Sequence, residues 1–139
     1  MLHAMTSGHD GSFTTLHASG PRLVLNRLQM LAMSADPHLA PVVVNQMIGS
    51  GVDMVVHLGT YQRGDQAVRR LASLAVVDHN LEDPMAGPLL QEFCRYRVRD
   101  DSWEWEPESF RFMPKKVEDK FAMAGIETAR LFYRLAESE

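Results

Sequence analysis

The sequence predicts a mixed α/β chain, with helices near the front and back and antiparallel strands between them. Three observations carry this. Pro21 and Pro41 each open a stretch whose apolar residues recur at helical spacing. Residues 54–58 form an apolar, β-prone run, and Arg63-Gly64-Asp65 then turns the chain into a second such stretch. Pro114 opens another helical pattern towards the end.

Residues 1–7 fit the last turns of a helix, with Leu2 and Met5 on one face and Gly8 following. A helix at the first residue suggests an element that began upstream. Residues 12–16 predict a short strand, because Phe13, Thr14 and Thr15 favour extended backbone and Gly11 precedes them. From Pro21, the residues Leu25, Leu28, Leu31 and Ala32 make the apolar stripe of a helix reaching about Ser34. Arg22, Asn26 and Arg27 lie away from most of that stripe. Asp36-Pro37 breaks the pattern. A second helix carries Val43, Val44, Met47 and Ile48 and ends at Gly49 and Gly51. Residues 54–58 are apolar except for His57, which predicts a strand covered on both sides. With residues 67–78 it makes an antiparallel hairpin at the sheet edge.

Residues 80–88 read as a loop containing Asp83-Pro84 and Gly87-Pro88. Residues 89–99 predict a further strand, with Leu90, Phe93 and Tyr96 among Gln91, Arg95 and Arg97. Residues 100–107 are acidic and turn-like, with Trp103 and Trp105 exposed on one side. Pro114 starts a third helix, with Val117, Phe121 and Met123 on its apolar side and Gly125 at its end. A last helix runs from Glu127 to about Ala136.

Composition narrows the function. The chain has 139 residues, 45% hydrophobic and 23% charged, which suits one soluble domain with a real core. The net charge of -4 argues against wholesale attraction to nucleic acid or to an anionic membrane. Cys94 is the single cysteine, so neither an internal disulfide nor a thiolate zinc site is expected. No stretch approaches the ~20 apolar residues of a membrane span. No signal peptide is visible in the first residues. A cytoplasmic protein, peripheral to a membrane at most, is expected. His38, His57 and His79 share no ligand spacing, and adjacent turn residues such as His9 and Asp10 rarely point at one ion, so no metal site is expected.

Two features have a functional and a plain reading. Trp103 and Trp105 share a face if their segment is extended, which makes either a partner patch or the lid of a small core. Arg95, Arg97 and Arg99 alternate near aromatics, as in single-strand nucleic-acid binders. Asp100, Asp101, Glu104 and Glu106 beside them predict local pairing instead, and no direct nucleic-acid contact.

Residues 4–30 read AMTSGHDGSFTTLHASGPRLVLNRLQM. This resembles the type II/type IV secretion ATPase superfamily, in particular its tight-adherence pilus and conjugal-transfer branch. There a Thr-Gly-His-Asp-Gly-Ser pattern is followed by Thr-x-His-Ala, a Ser-Pro-Arg helix start and Arg-Leu. The matching residues are Gly8, His9, Asp10, Gly11, Ser12, Thr15, His17, Ala18, Pro21, Arg22, Arg27 and Leu28. Residues 48–58 also resemble the family's next helix-to-strand passage. The resemblance covers residues 1–78 and is thin after 80.

The resemblance implies a fold: the C-terminal half of a RecA-like P-loop NTPase domain, with an antiparallel hairpin and C-terminal helices. Residues 1–99 would be the partial ATPase core, with its histidine box at 8–18, and residues 100–139 a loop and helical extension. It implies that His9 and His17 act near the terminal phosphate of ATP, with Thr15, Arg22 and Arg27 towards the nucleotide or a neighbouring subunit. Gly8, Asp10 and Gly11 would build the turn. The plain alternatives are histidines satisfied by backbone groups and arginines on a solvated helix face.

Three departures stand out. Ser7 replaces a Thr, Ser19-Gly20 stands where the family has Asn-Ser, and no Gly-Lys pair occurs anywhere in the chain. The phosphate loop Gly-x-x-x-x-Gly-Lys-Ser/Thr supplies the backbone donors and the lysine that hold ATP. The acidic magnesium-binding motif is missing as well. The expectation is therefore a C-terminal fragment or truncated paralogue of a secretion, pilus-assembly or conjugation motor. ATP and Mg belong to the intact family enzyme, and no cofactor is expected for this chain alone. Its partners would be the other subunits of a homo-hexameric ring and inner-membrane platform proteins. The alternative is a non-catalytic module that binds such a partner through its sheet edge and Trp103/Trp105 face. An exposed sheet edge also predicts self-association.

Overall fold

The structure is a computed structural model, and it describes Thr6, residues 11–106 and residues 113–128. Helix α1 spans Pro21–Ala35 and α2 spans Pro41–Gly51. Strands β1 (Met54–Arg63), β2 (Gln66–Asp78), β3 (Leu89–Arg97) and β4 (Ser102–Trp105) follow, then helix α3 (Lys115–Met123). The four strands make one antiparallel sheet in the order β1-β2-β3-β4.

Both leading helices open on proline and neither has a side-chain cap. The fixed φ of proline suits the first turn, where its missing N–H is no loss. Asp36 ends α1: its N–H bonds the Ala32 carbonyl at 3.0 Å, while its carboxylate accepts from the His38 N–H at 3.0 Å. That local bond competes with helix continuation. The Val52 N–H closes α2 on the Ile48 carbonyl at 2.9 Å.

Two compact units divide the chain. The first is Met1–Val55 with Val77–Leu90, and the second is Val56–Val76 with Gln91–Glu139. The core of the first joins Leu25 and Leu28 of α1, Val44 and Ile48 of α2, Val55 of β1 and Val77 of β2. The spacings i, i+3 and i, i+4 put each helix pair on one face. Burying each such side chain contributes roughly 1.5–3 kcal/mol. The core of the second joins Val76, Phe93 and Cys94, with Leu74 and Trp105 against them. There β3 and β4 pair in a register that sets Cys94 opposite Trp105 and Tyr96 opposite Trp103.

The two proline-led helices, the hairpin, the loop at 80–88 and the helix after Pro114 match expectation. Four readings are corrected. Residues 12–16 are not a strand. A strand exists through its ladder, and propensity without a neighbour does not make one; Phe13 stands 89% exposed. Residues 54–58 are not covered on both sides: Val55 is buried, whereas Met54, Val56 and Leu58 are exposed. The run lies at the sheet edge, so its apolar character did not report two-sided burial. Residues 102–105 are strand β4 rather than turn, because Tyr96 and Cys94 offer the two indoles cross-strand places. Met123 lies exposed, not on the apolar side of α3, where Val117 alone is buried. The expected helix at 1–7, beyond Thr6, and the last helix, beyond Thr128, lie outside the described residues.

Candidate functional site

The segment leading into α1 begins at Gly11, whose φ of 87° suits a residue without Cβ. Residues 11–15 are all exposed, and from Thr15 exposure alternates. Thr15 and His17 are exposed, while Leu16 and Ala18 are half-buried. Leu16 packs on the Leu25–Leu28 core and so fixes the segment's inner side. Thr15 and His17 therefore face outward together, two residues apart on an extended backbone. Gly8, His9 and Asp10 lie outside the described residues.

Arg22 and Arg27 are both exposed on α1. Five residues of helix separate them by about 140°, so they share no face. Arg22 borders a cleft of about 230 Å³ with Asn26, Gln29, Asn45, Met85 and Gly87. Arg27 stands away from it. The structure thus brings Thr15 and His17 together, and leaves Arg22 and Arg27 on diverging sides.

The centre of this unit's polar chemistry is a residue that composition did not flag. Asn45 of α2 is only 5% exposed. Its Oδ1 accepts from Gln29 Nε2 at 2.8 Å, and its Nδ2 donates to the Pro84 and Met85 carbonyls at 3.0 and 3.4 Å. One buried amide thus joins α1, α2 and the loop before β3. The loop is braced by its own side chains. Asp83 accepts from the Met85 and Ala86 N–H groups at 3.1 and 3.2 Å, and Asn80 Oδ1 accepts from the Asp83 N–H at 2.9 Å. A second cleft of about 360 Å³ also borders Asn45, with Ser50, His79 and Asn80 on its wall. The His79 ring lies over Gly49, where a Cβ would come within 3.0 Å of Nδ1. Asn45 was legible in principle: it shares the buried face of α2 with Val44 and Ile48, and a polar residue there needs partners.

The second unit holds a separate polar cluster. Asp101, in the β3–β4 turn with φ 50°, accepts from the Tyr96 hydroxyl at 2.6 Å. Its carboxylate also meets Arg63 at 2.5 Å and Arg70 at 3.6 Å. The Tyr96 hydrogen bond, helped by the two guanidinium groups, holds the Asp101 carboxyl below the usual carboxylate range, against the opposing effect of burial. The same bond pushes the Tyr96 phenol up. Tyr96 sits between Tyr61 and Trp103, with ring centres 5.0 and 5.4 Å away.

The Trp103 indole N–H donates to the Leu71 carbonyl at 2.9 Å, and Trp105 stacks on Phe93 at 6.4 Å. Trp103 keeps an exposed edge, while Trp105 is half-buried. The arginines of β3 pair locally, Arg95 with Glu92 at 3.1 Å and Arg97 with Glu104. The Arg97 guanidinium, foremost through its hydrogen bond, holds the Glu104 carboxyl low.

Phosphates of ATP need a run of backbone donors and a lysine. The described residues offer Arg22 at one cleft and Thr15 with His17 on an open surface. Among the described residues, no group of three or more His, Cys, Asp or Glu is placed to hold a metal ion, and no helix is long and apolar enough to cross a membrane. No protein-family model matches the chain, and no curated protein matches it.

Proposed function

We propose that this chain is the histidine-box portion of a RecA-like motor ATPase, of the kind that drives secretion, pilus assembly or conjugal transfer. The observation that carries the reading is the ordered run from Gly8 to Leu28, in which twelve positions agree in order and spacing with the tight-adherence branch. The outward display of Thr15 and His17 supports it, since groups that serve a nucleotide held elsewhere must be accessible. So does the element order from Pro21 onward: a helix from Pro21, a helix from Pro41, then a hairpin.

In this reading His9 and His17 hydrogen-bond a phosphate that other residues hold, and Arg22 and Arg27 serve the nucleotide or a neighbouring copy. The phosphate loop is not among the 139 residues, so this polypeptide alone does not hydrolyse ATP. Its partners are copies in a ring and a membrane-bound secretion or pilus platform. Isothermal calorimetry with Mg-ATP tests the nucleotide part, and no saturable heat is expected. Tight binding would overturn it. The motor part is tested by a chimera in which residues 1–78 replace the matching segment of a tight-adherence pilus ATPase. Hydrolysis is expected to survive, and to fall about 10²-fold with His17→Ala. A chimera that assembles but is indifferent to His17 would remove the basis for the assignment.

A second reading rests on that missing loop: a non-catalytic module that docks on a secretion or pilus partner. Nucleotide-independent capture of this chain by an assembled ring of the parent ATPase, with no effect of His17→Ala, would favour it.

A further inference from the structure

We draw no further inference here: the strongest candidate, the cleft of about 360 Å³ beside Asn45 on whose wall the Ser50 hydroxyl lies 3.4 Å from His79 Nε2, carries no proposal, because that hydroxyl already donates to the Gln46 carbonyl at 2.8 Å and nothing in the structure shows what the cleft would take.

Discussion

Asn45 shows what a single buried amide can hold. Its three hydrogen bonds join two helices to a loop, and removing it takes a partner from the Pro84 carbonyl and the Gln29 amide at a part-buried junction. Leaving such groups without partners costs about 1–3 kcal/mol. Urea denaturation of Asn45→Ala is expected to show a loss of that size, and Asn45→Leu no recovery, because bulk alone does not serve the carbonyls. An unchanged midpoint would mean that water replaces the amide. Asp101 behaves differently, since its partners are charged and partly exposed. Its carboxyl titrates lower in the folded chain than in the unfolded one. The stability it contributes is therefore present above the unfolded value of about 3.9 and is lost as pH falls through the folded value. Glu104 has the same sign. Thermal melts from pH 6 downward are expected to fall less steeply below about pH 4 in Asp101→Asn than in the parent. Parallel acid limbs would remove Asp101 from this role.

At the scale of elements, the hairpin depends on a glycine for reasons of space. A Cβ at Gly59 would stand 2.8 Å from the Tyr61 ring, which in turn packs on Tyr96. Gly59→Ala has to displace that ring, and crowding of this kind costs about 1–3 kcal/mol. The change is expected to appear in the near-ultraviolet dichroism of the tyrosines as well as in stability. A stable variant with an unaltered aromatic signal would show that Tyr61 swings away freely.

The hairpin is also a fair measure of how far sequence reading reached. Its turn was legible because Gly64 and Asp65 are local chemistry, and α1 and α2 because proline starts and i, i+4 spacing are local too. The coverage of β1 was not legible, since an apolar run looks the same at an edge as in the middle of a sheet. Residues 102–105 read as turn because Trp103 and Trp105 find their places only across β3. In the candidate site, Thr15 and His17 came from a motif. Asn45 was missed because its partners lie 16 and about 40 positions away in the chain.

For the whole molecule, the two compact units each have a core of their own. The passage from Gly11 through α1 and α2 falls in the first unit, with its own core around Leu28 and Ile48. The second unit holds most of the hairpin and the β3–β4 pair, with Phe93 and Cys94 at its centre. Cys94 is 2% exposed and is the single thiol of the chain, and burial pushes its ionisation up. A thiol in that position keeps time. An alkylating reagent reaches it only when β3 opens, so the labelling rate in native buffer divided by that of free cysteine reads the opening equilibrium directly. For an ordinary stability of about 5 kcal/mol, labelling is expected to be some 10³-fold slower than free cysteine or more. Immediate stoichiometric labelling would place the thiol at the surface and dissolve the core assigned to this unit.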